Sequence, residues 1–235
     1  MENKKNESTN TKSGLELKHI LKHLSIKKII KYLFILLIIA VYALILGRIL
    51  LSKPTGVMKS YVYTQTSVEQ INASPDNLEL LTQQITKKID DNGYYHISDF
   101  VYVPRIGELQ FTLRYNNSTV DALKTFYPDF VRAGETFVCT LSDKNGNVYD
   151  EYKFISSSNI IYNFRRIVFE GVDFDNAGTL YLNIYYVSDI SESSPMHVSF
   201  LLYDDEKTST QSKIKADKTN PKVNSFNNSP AFTHK

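Results

Sequence analysis

The chain has 235 residues, with 27 Lys and Arg against 25 Asp and Glu for a formal net charge of +2, a single cysteine and no tryptophan. One cysteine excludes any disulfide within the chain. The small positive balance comes largely from lysines near the N-terminus, and no basic, aromatic-interleaved stripe follows them, so the composition gives no nucleic-acid interface.

Residues 1–14, MENKKNESTNTKSG, hold almost no apolar side chains. They cannot bury enough surface to offset chain entropy and are expected to be disordered. Over residues 15–31 Leu17, Ile20, Leu21 and Leu24 recur at helical spacing opposite Lys18 and Lys22, which makes a basic amphipathic juxtamembrane stretch. Its lysines suit either topology setting beside an anchor or contact with anionic lipid.

Residues 32–51, YLFILLIIAVYALILGRILL, are apolar almost without interruption. About twenty such residues match the roughly 30 Å hydrocarbon core of a bilayer, so the run predicts a transmembrane helix. Arg48 stands one turn from its end, where a long side chain snorkels to the headgroups. A cleaved signal peptide would have a shorter apolar region, about 7–15 residues, ending in a small-x-small site, and Leu46-Gly47-Arg48-Ile49-Leu50 supplies none. No cysteine follows closely enough for a lipoprotein anchor. Lys18, Lys22, Lys27, Lys28 and Lys31 precede the run, whereas Arg48, Lys53 and Lys59 follow it, which predicts a cytoplasmic N-terminus and an extracytoplasmic C-terminal part at the cell membrane.

Pro54 and Gly56 mark residues 52–60 as a linker. Residues 61–203 form the expected folded domain, about 140 residues and enough for one core. Residues 204–235, rich in Lys, Ser, Thr, Asn and Asp, are expected to be a disordered polar tail.

Within the domain one helix is predicted, capped by Ser74, with Pro75 in its first turn, Leu78, Leu81, Ile85 and Ile89 on one face, and Asn92-Gly93 as its stop. A short helix around Val120 to Thr125 is a weaker signal. Strands dominate the rest. Leu109, Phe111, Leu113 and Tyr115 alternate with Gln110, Thr112 and Arg114, a half-buried antiparallel pattern that Phe137, Cys139 and Leu141 repeat. Asp143 to Asn147 reads as a hairpin turn with Val148 to Ile155 as the returning partner. Residues 160–170, 179–187 and 196–203 are further strands between Gly171, Gly178 and Ser194-Pro195. Many short strands with one packed helix predict a mainly β fold, a single antiparallel β-sandwich of immunoglobulin-like architecture.

Two stretches, LQFTLRYNNST (residues 109–119) and YNFRRIVFEGVDFDNAGTLYLNIYYVSD (residues 162–189), resemble single-pass membrane proteins of clostridia and their relatives. That resemblance covers most of the chain and implies a cytoplasmic N-terminus with one extracytoplasmic β-rich domain. It brings no activity, substrate or catalytic residue.

The chemical parts are few. His96 and His197 are the histidines of the predicted domain, and a thiol–imidazole pair needs one of them beside Cys139. The phase of Cys139 with Phe137 and Leu141 points its thiol into the core instead, where cysteines are inert. In GVDFDNAG, Asp173, Asp175 and Asn176 offer alternate oxygens for calcium, but the loop lacks the glycine and terminal glutamate of an EF-hand, and these are also ordinary turn residues. No cofactor is predicted. With Leu180, Leu182 and Ile184 facing the core, Tyr181, Asn183 and Tyr185 share the opposite face of one strand as a candidate binding ledge. The expected function is therefore a non-enzymatic, membrane-tethered binding or scaffold module for an envelope protein or glycan. The alternative is an extracytoplasmic hydrolase whose site assembles only in the fold.

Overall fold

The computed structural model describes residues 26–54, 58, 61–74, 80–83, 85, 88–128, 136–204, 211–214 and 225–228. The chain divides into two compact units, residues 1–50 and 51–235. The expected disordered segment 1–14 and most of the amphipathic stretch 15–31 lie outside the described residues.

The described part of the first unit is helix α1 (Ile26–Leu51), whose last residue opens the second unit and whose residues are fully apolar from Leu33 to Gly47 save for Tyr42. Its mean hydropathy reaches 2.8 over eighteen residues, and none of that window is buried by protein. At 1.5 Å rise per residue the 26 residues extend about 39 Å, long and apolar enough to cross a membrane. The helix starts before the predicted apolar run, so Lys27, Lys28 and Lys31 belong to it.

The second unit is mainly β and built from two antiparallel sheets. The strands are β1 (Leu80–Gln83), β2 (His96–Ile97), β3 (Phe100–Val103), β4 (Glu108–Asn116), β5 (Phe137–Asp143), β6 (Val148–Tyr149), β7 (Tyr152–Ser158), β8 (Tyr162–Phe169), β9 (Thr179–Tyr186), β10 (Val198–Asp204), β11 (Gln211–Ile214) and β12 (Asn227–Asn228). The larger sheet runs β11-β1-β3-β4-β8-β7-β12 with β2 paired to β4, and the smaller runs β10-β9-β5-β6. Among the described residues three α-helices, α2 (Gln65–Ala73), α3 (Asn117–Phe126) and the single turn α4 (Phe174–Ala177), and a 3-10 turn (Pro104–Ile106) accompany them.

Alternation explains the core. Leu109, Phe111 and Leu113 of β4 and Ile167 and Phe169 of β8 join Phe137, Cys139 and Leu141 of β5 and Leu180, Leu182 and Ile184 of β9 in one buried cluster, so both sheets bury the same core. Arg165 also faces it. Its Nη1 donates to the Phe137 carbonyl at 3.0 Å, and its guanidinium lies 4.9 Å from the Phe154 ring, which carries a charge across the core without leaving it unpartnered.

The reverse face of the larger sheet is also covered, contrary to the half-buried reading of β4. Glu108, Gln110 and Thr112 are all buried, and above them lies the stretch Tyr61–Thr64 leading into α2. Thr64 caps α2 through a capping box with Ser67, and Ile71 packs on Leu80, Val101 and Val103. The predicted helix from Ser74 to Asn92 is replaced by α2, which ends at Ala73, and by strand β1. Pro75 and Leu78 lie outside the described residues.

Three further expectations change. The hairpin turn at Asp143 to Asn147 forms, with Gly146 at φ 85°, but only Val148 and Tyr149 pair back to β5. The chain then crosses, and Tyr152–Ser158 pairs with β8 in the other sheet. Within the expected polar tail Gln211–Ile214 pairs with β1 and Asn227–Asn228 with β7; residues 205–210, 215–224 and 229–235 lie outside the described set. Met58 is buried and the Ser52 carbonyl is held by Arg114, so the described part of the expected linker is tied to the second unit.

One glycine is dictated by packing. Gly107 has φ 62°, and a Cβ there would meet the Val172 carbonyl oxygen at 2.9 Å. The close approach lets Val172 N–H donate to the Gly107 carbonyl at 2.8 Å, which fixes the turn after β8 against the start of β4.

Candidate functional site

The candidate ledge lies on the outward face of the smaller sheet. Register fixes its neighbours: Tyr181 of β9 pairs with Leu201 of β10 and with Ser142 of β5, and Ser142 pairs with Val148 of β6. Leu201, Tyr181 and Val148 thus form a transverse row across the strands, exposed to 41%, 41% and 61%. Asn183 sits two residues along β9, with its Nδ2 donating to Ser142 Oγ at 3.2 Å.

Tyr185 does not extend the row. It is 9% exposed because the His197 imidazole stacks on its ring, 4.6 Å between centroids and 8° from parallel. Burial pushes the Tyr185 hydroxyl above its ordinary value. The loop before β10 supplies His197, so the covering was not legible from β9 alone. What replaces Tyr185 is Leu201 and Val148, found by pairing rather than by alternation within one strand.

A second concave feature was missed. A cleft of about 120 Å³ is lined by Arg114, His96, Tyr94, Tyr115, Asn116 and Tyr162 among others, and no carboxylate among the described residues contributes to its wall. Arg114 lies 4.8 Å over the Tyr162 ring, and its Nη1 donates to the Ser52 carbonyl at 2.8 Å. Burial, with the nearby positive charge of Arg114 and Lys88, lowers His96 to about 4, so its imidazole is neutral at neutral pH. Arg114 was visible as the polar side of β4, but its convergence with His96 and Tyr162 depends on β2 and β8 flanking β4.

The potential catalytic groups do not converge. Cys139 is buried, and loss of hydration pushes its thiol up to about 12. His197 stacks on Tyr185, which pairs with Val138, so it lies on the sheet face opposite Cys139. The densest polar cluster surrounds Glu108, which is 0% exposed and accepts from Thr64 Oγ1 at 2.5 Å, from Gln110 Nε2 at 2.7 Å and from the Tyr61 hydroxyl. Burial pushes its carboxyl up while those donors oppose the shift. Glu108, Gln110 and Thr64 are fully buried, and the cluster ties the 61–64 stretch to the sheet.

Of the calcium candidates, Asp173 accepts from Asn176 through both oxygens, at 3.3 Å from the backbone N–H and 2.7 Å from Nδ2. It caps the turn α4, with Asn176 as its hydrogen-bond partner. The Asp175 side chain lies outside the described residues. Among the described residues no group of three or more His, Cys, Asp or Glu side chains is placed to hold a metal.

Comparison with family models, with curated proteins and with solved structures returns no match to this chain.

Proposed function

We propose that the protein is a single-pass membrane protein whose N-terminus is cytoplasmic and whose second unit, an immunoglobulin-like β-sandwich, acts outside the cytoplasm as a non-enzymatic binding or scaffold module. Its partner is an envelope protein or glycan. The observation that carries the reading is the row Leu201, Tyr181 and Val148 on the outward face of the smaller sheet. Tyr181, between Leu201 and Ser142 in that row, supplies contact area at low conformational cost, which suits a partner surface.

The anchor reading is supported by α1, with Lys27, Lys28 and Lys31 at its start and Arg48 near its end. Two antiparallel sheets that bury one core support the sandwich. The test is a pair of fusions. A reporter active only in the cytoplasm works when joined at Met1 and is silent when joined after Lys235, and the protein stays with membranes after alkaline extraction. A soluble mature product, or the opposite reporter pattern, overturns the reading.

A further inference from the structure

We infer that the end of the second unit where the chain enters carries a lipid-headgroup site, in which Arg114 and Tyr162 seat a lipid phosphate and Ile160 enters the membrane interface. The inference rests on the reading of α1 as a membrane span and deepens it.

Three observations lead there. The carbonyls of Leu51 and Ser52, the last residue of the apolar run and the one after it, accept hydrogen bonds from Asn159 Nδ2 at 2.7 Å and from Arg114 Nη1 at 2.8 Å. Both side chains therefore sit within one hydrogen bond of the point where the chain leaves the hydrocarbon. The headgroup layer is about 5–8 Å thick on each side of the bilayer, and a span that ends at Leu51 brings the groups bonded to Leu51 and Ser52 to it.

The turn between β7 and β8 projects there. Asn159 Oδ1 accepts from the N–H groups of Ile161 and Tyr162 at 3.0 and 2.8 Å, which locks the turn and leaves Ile160 at its tip. Ile160 is 91% exposed, more than any other described large hydrophobic residue. A rigid turn in water gains nothing from an isoleucine at its tip, whereas one at a membrane surface buries it.

Arg114 supplies the polar half. Among the described residues it makes no ion pair with a carboxylate, and no carboxylate among them lines the adjoining cleft. Nη1 is on Ser52 and the guanidinium lies over the Tyr162 ring; its remaining N–H groups make no hydrogen bond among the described residues, and a guanidinium is suited to meeting phosphate oxygens. Tyr162 beside it is of the residue type that populates the membrane interface.

The chain has no tryptophan, so one introduced indole reports on its own position. The full chain carrying Ile160→Trp, and separately Tyr42→Trp within α1, is reconstituted in phosphatidylglycerol vesicles that contain lipids brominated near the headgroup or deep in the acyl chain. Tyr42→Trp is quenched by deep bromines and Ile160→Trp by shallow ones, with a blue-shifted emission. Adding Arg114→Gln to Ile160→Trp removes most of the shallow quenching, and Arg114→Lys restores part of it. Quenching at position 42 but none at position 160 overturns the inference and leaves the anchor standing. Quenching at neither position overturns the anchor itself. Inorganic phosphate that releases the position-160 indole as fully as Arg114→Gln identifies a free-anion site and overturns the lipid assignment.

Discussion

Glu108 and Arg166 lie on the same buried face of the larger sheet without touching, because Gln110 stands between them. Gln110 Nε2 donates to Glu108 Oε1 at 2.7 Å, and Arg166 Nε donates to Gln110 Oε1 at 3.2 Å. Gln110 also binds the backbone of Val62 in both directions, accepting from its N–H at 3.1 Å and donating to its carbonyl at 2.6 Å. One amide thus joins two buried charges to the stretch that connects the apolar run to the sheets.

Replacing Gln110 with Leu leaves buried polar groups without partners, and we expect a loss of about 2–4 kcal/mol in urea unfolding of a fragment beginning at Leu51. Glu108 adds a pH signature. Its folded value is raised above the ordinary 4.5, so the folded state holds the proton to higher pH than the unfolded chain. That contribution to stability is present below about 4.5 and is lost as pH rises through the folded value. Glu108→Gln should flatten the stability profile in that range, and an unchanged profile would show that Glu108 does not titrate with folding.

His96 carries the opposite sign. Its folded value is lowered from 6.5 to about 4 by burial and by Arg114 and Lys88, so the folded state resists the proton. The stability it contributes is present above 6.5 and is lost as pH falls through about 4. For a half-buried, partly screened ring this amounts to about 1–2 kcal/mol. His96→Asn should remove that share of the acid destabilisation, which denaturation at a series of pH values measures.

Cys139→Ala should cost about 1 kcal/mol or more through a small cavity between the sheets. The folded protein should also resist thiol labelling at neutral pH, because its thiol lies at about 12. Fast labelling under native conditions would contradict the burial.

Neighbouring residues of β9 should behave differently. Leu182 faces the core, and its replacement by Ala should cost about 2–5 kcal/mol. Tyr181→Ser, on the outward face, should change stability by about 0.5 kcal/mol or less. Equal losses in thermal melts would make Tyr181 a packing residue.

The strand faces were legible where one side meets the core and the other meets solvent, as for Leu180, Leu182 and Ile184 of β9. The same rule misled at β4, because Val62 and Thr64 bond Gln110 and Glu108 and Arg166 donates to Thr112, and a polar side chain reads as exposed until its partners are known. The spacing of Leu81, Ile85 and Ile89 imitated a helix although Leu81 lies in a strand and Ile89 meets His96 in an isolated bridge. Helix α2 went unread because its stripe is thin: Ile71 is its one buried apolar residue, and its start is set by the Thr64–Ser67 box. Tyr181 could be placed from sequence, whereas Leu201 and Val148 join it only through a register fixed by long-range pairing.

The most direct test places a photo-crosslinking amino acid at position 181 in the full chain in intact cells, with position 156, exposed on β7 of the other sheet, as the comparison. The proposed module gives a discrete adduct from position 181 that Leu201→Ser abolishes, and none from position 156. No adduct at 181, or the same adduct from both positions, would contradict a binding surface on the outward face of the smaller sheet.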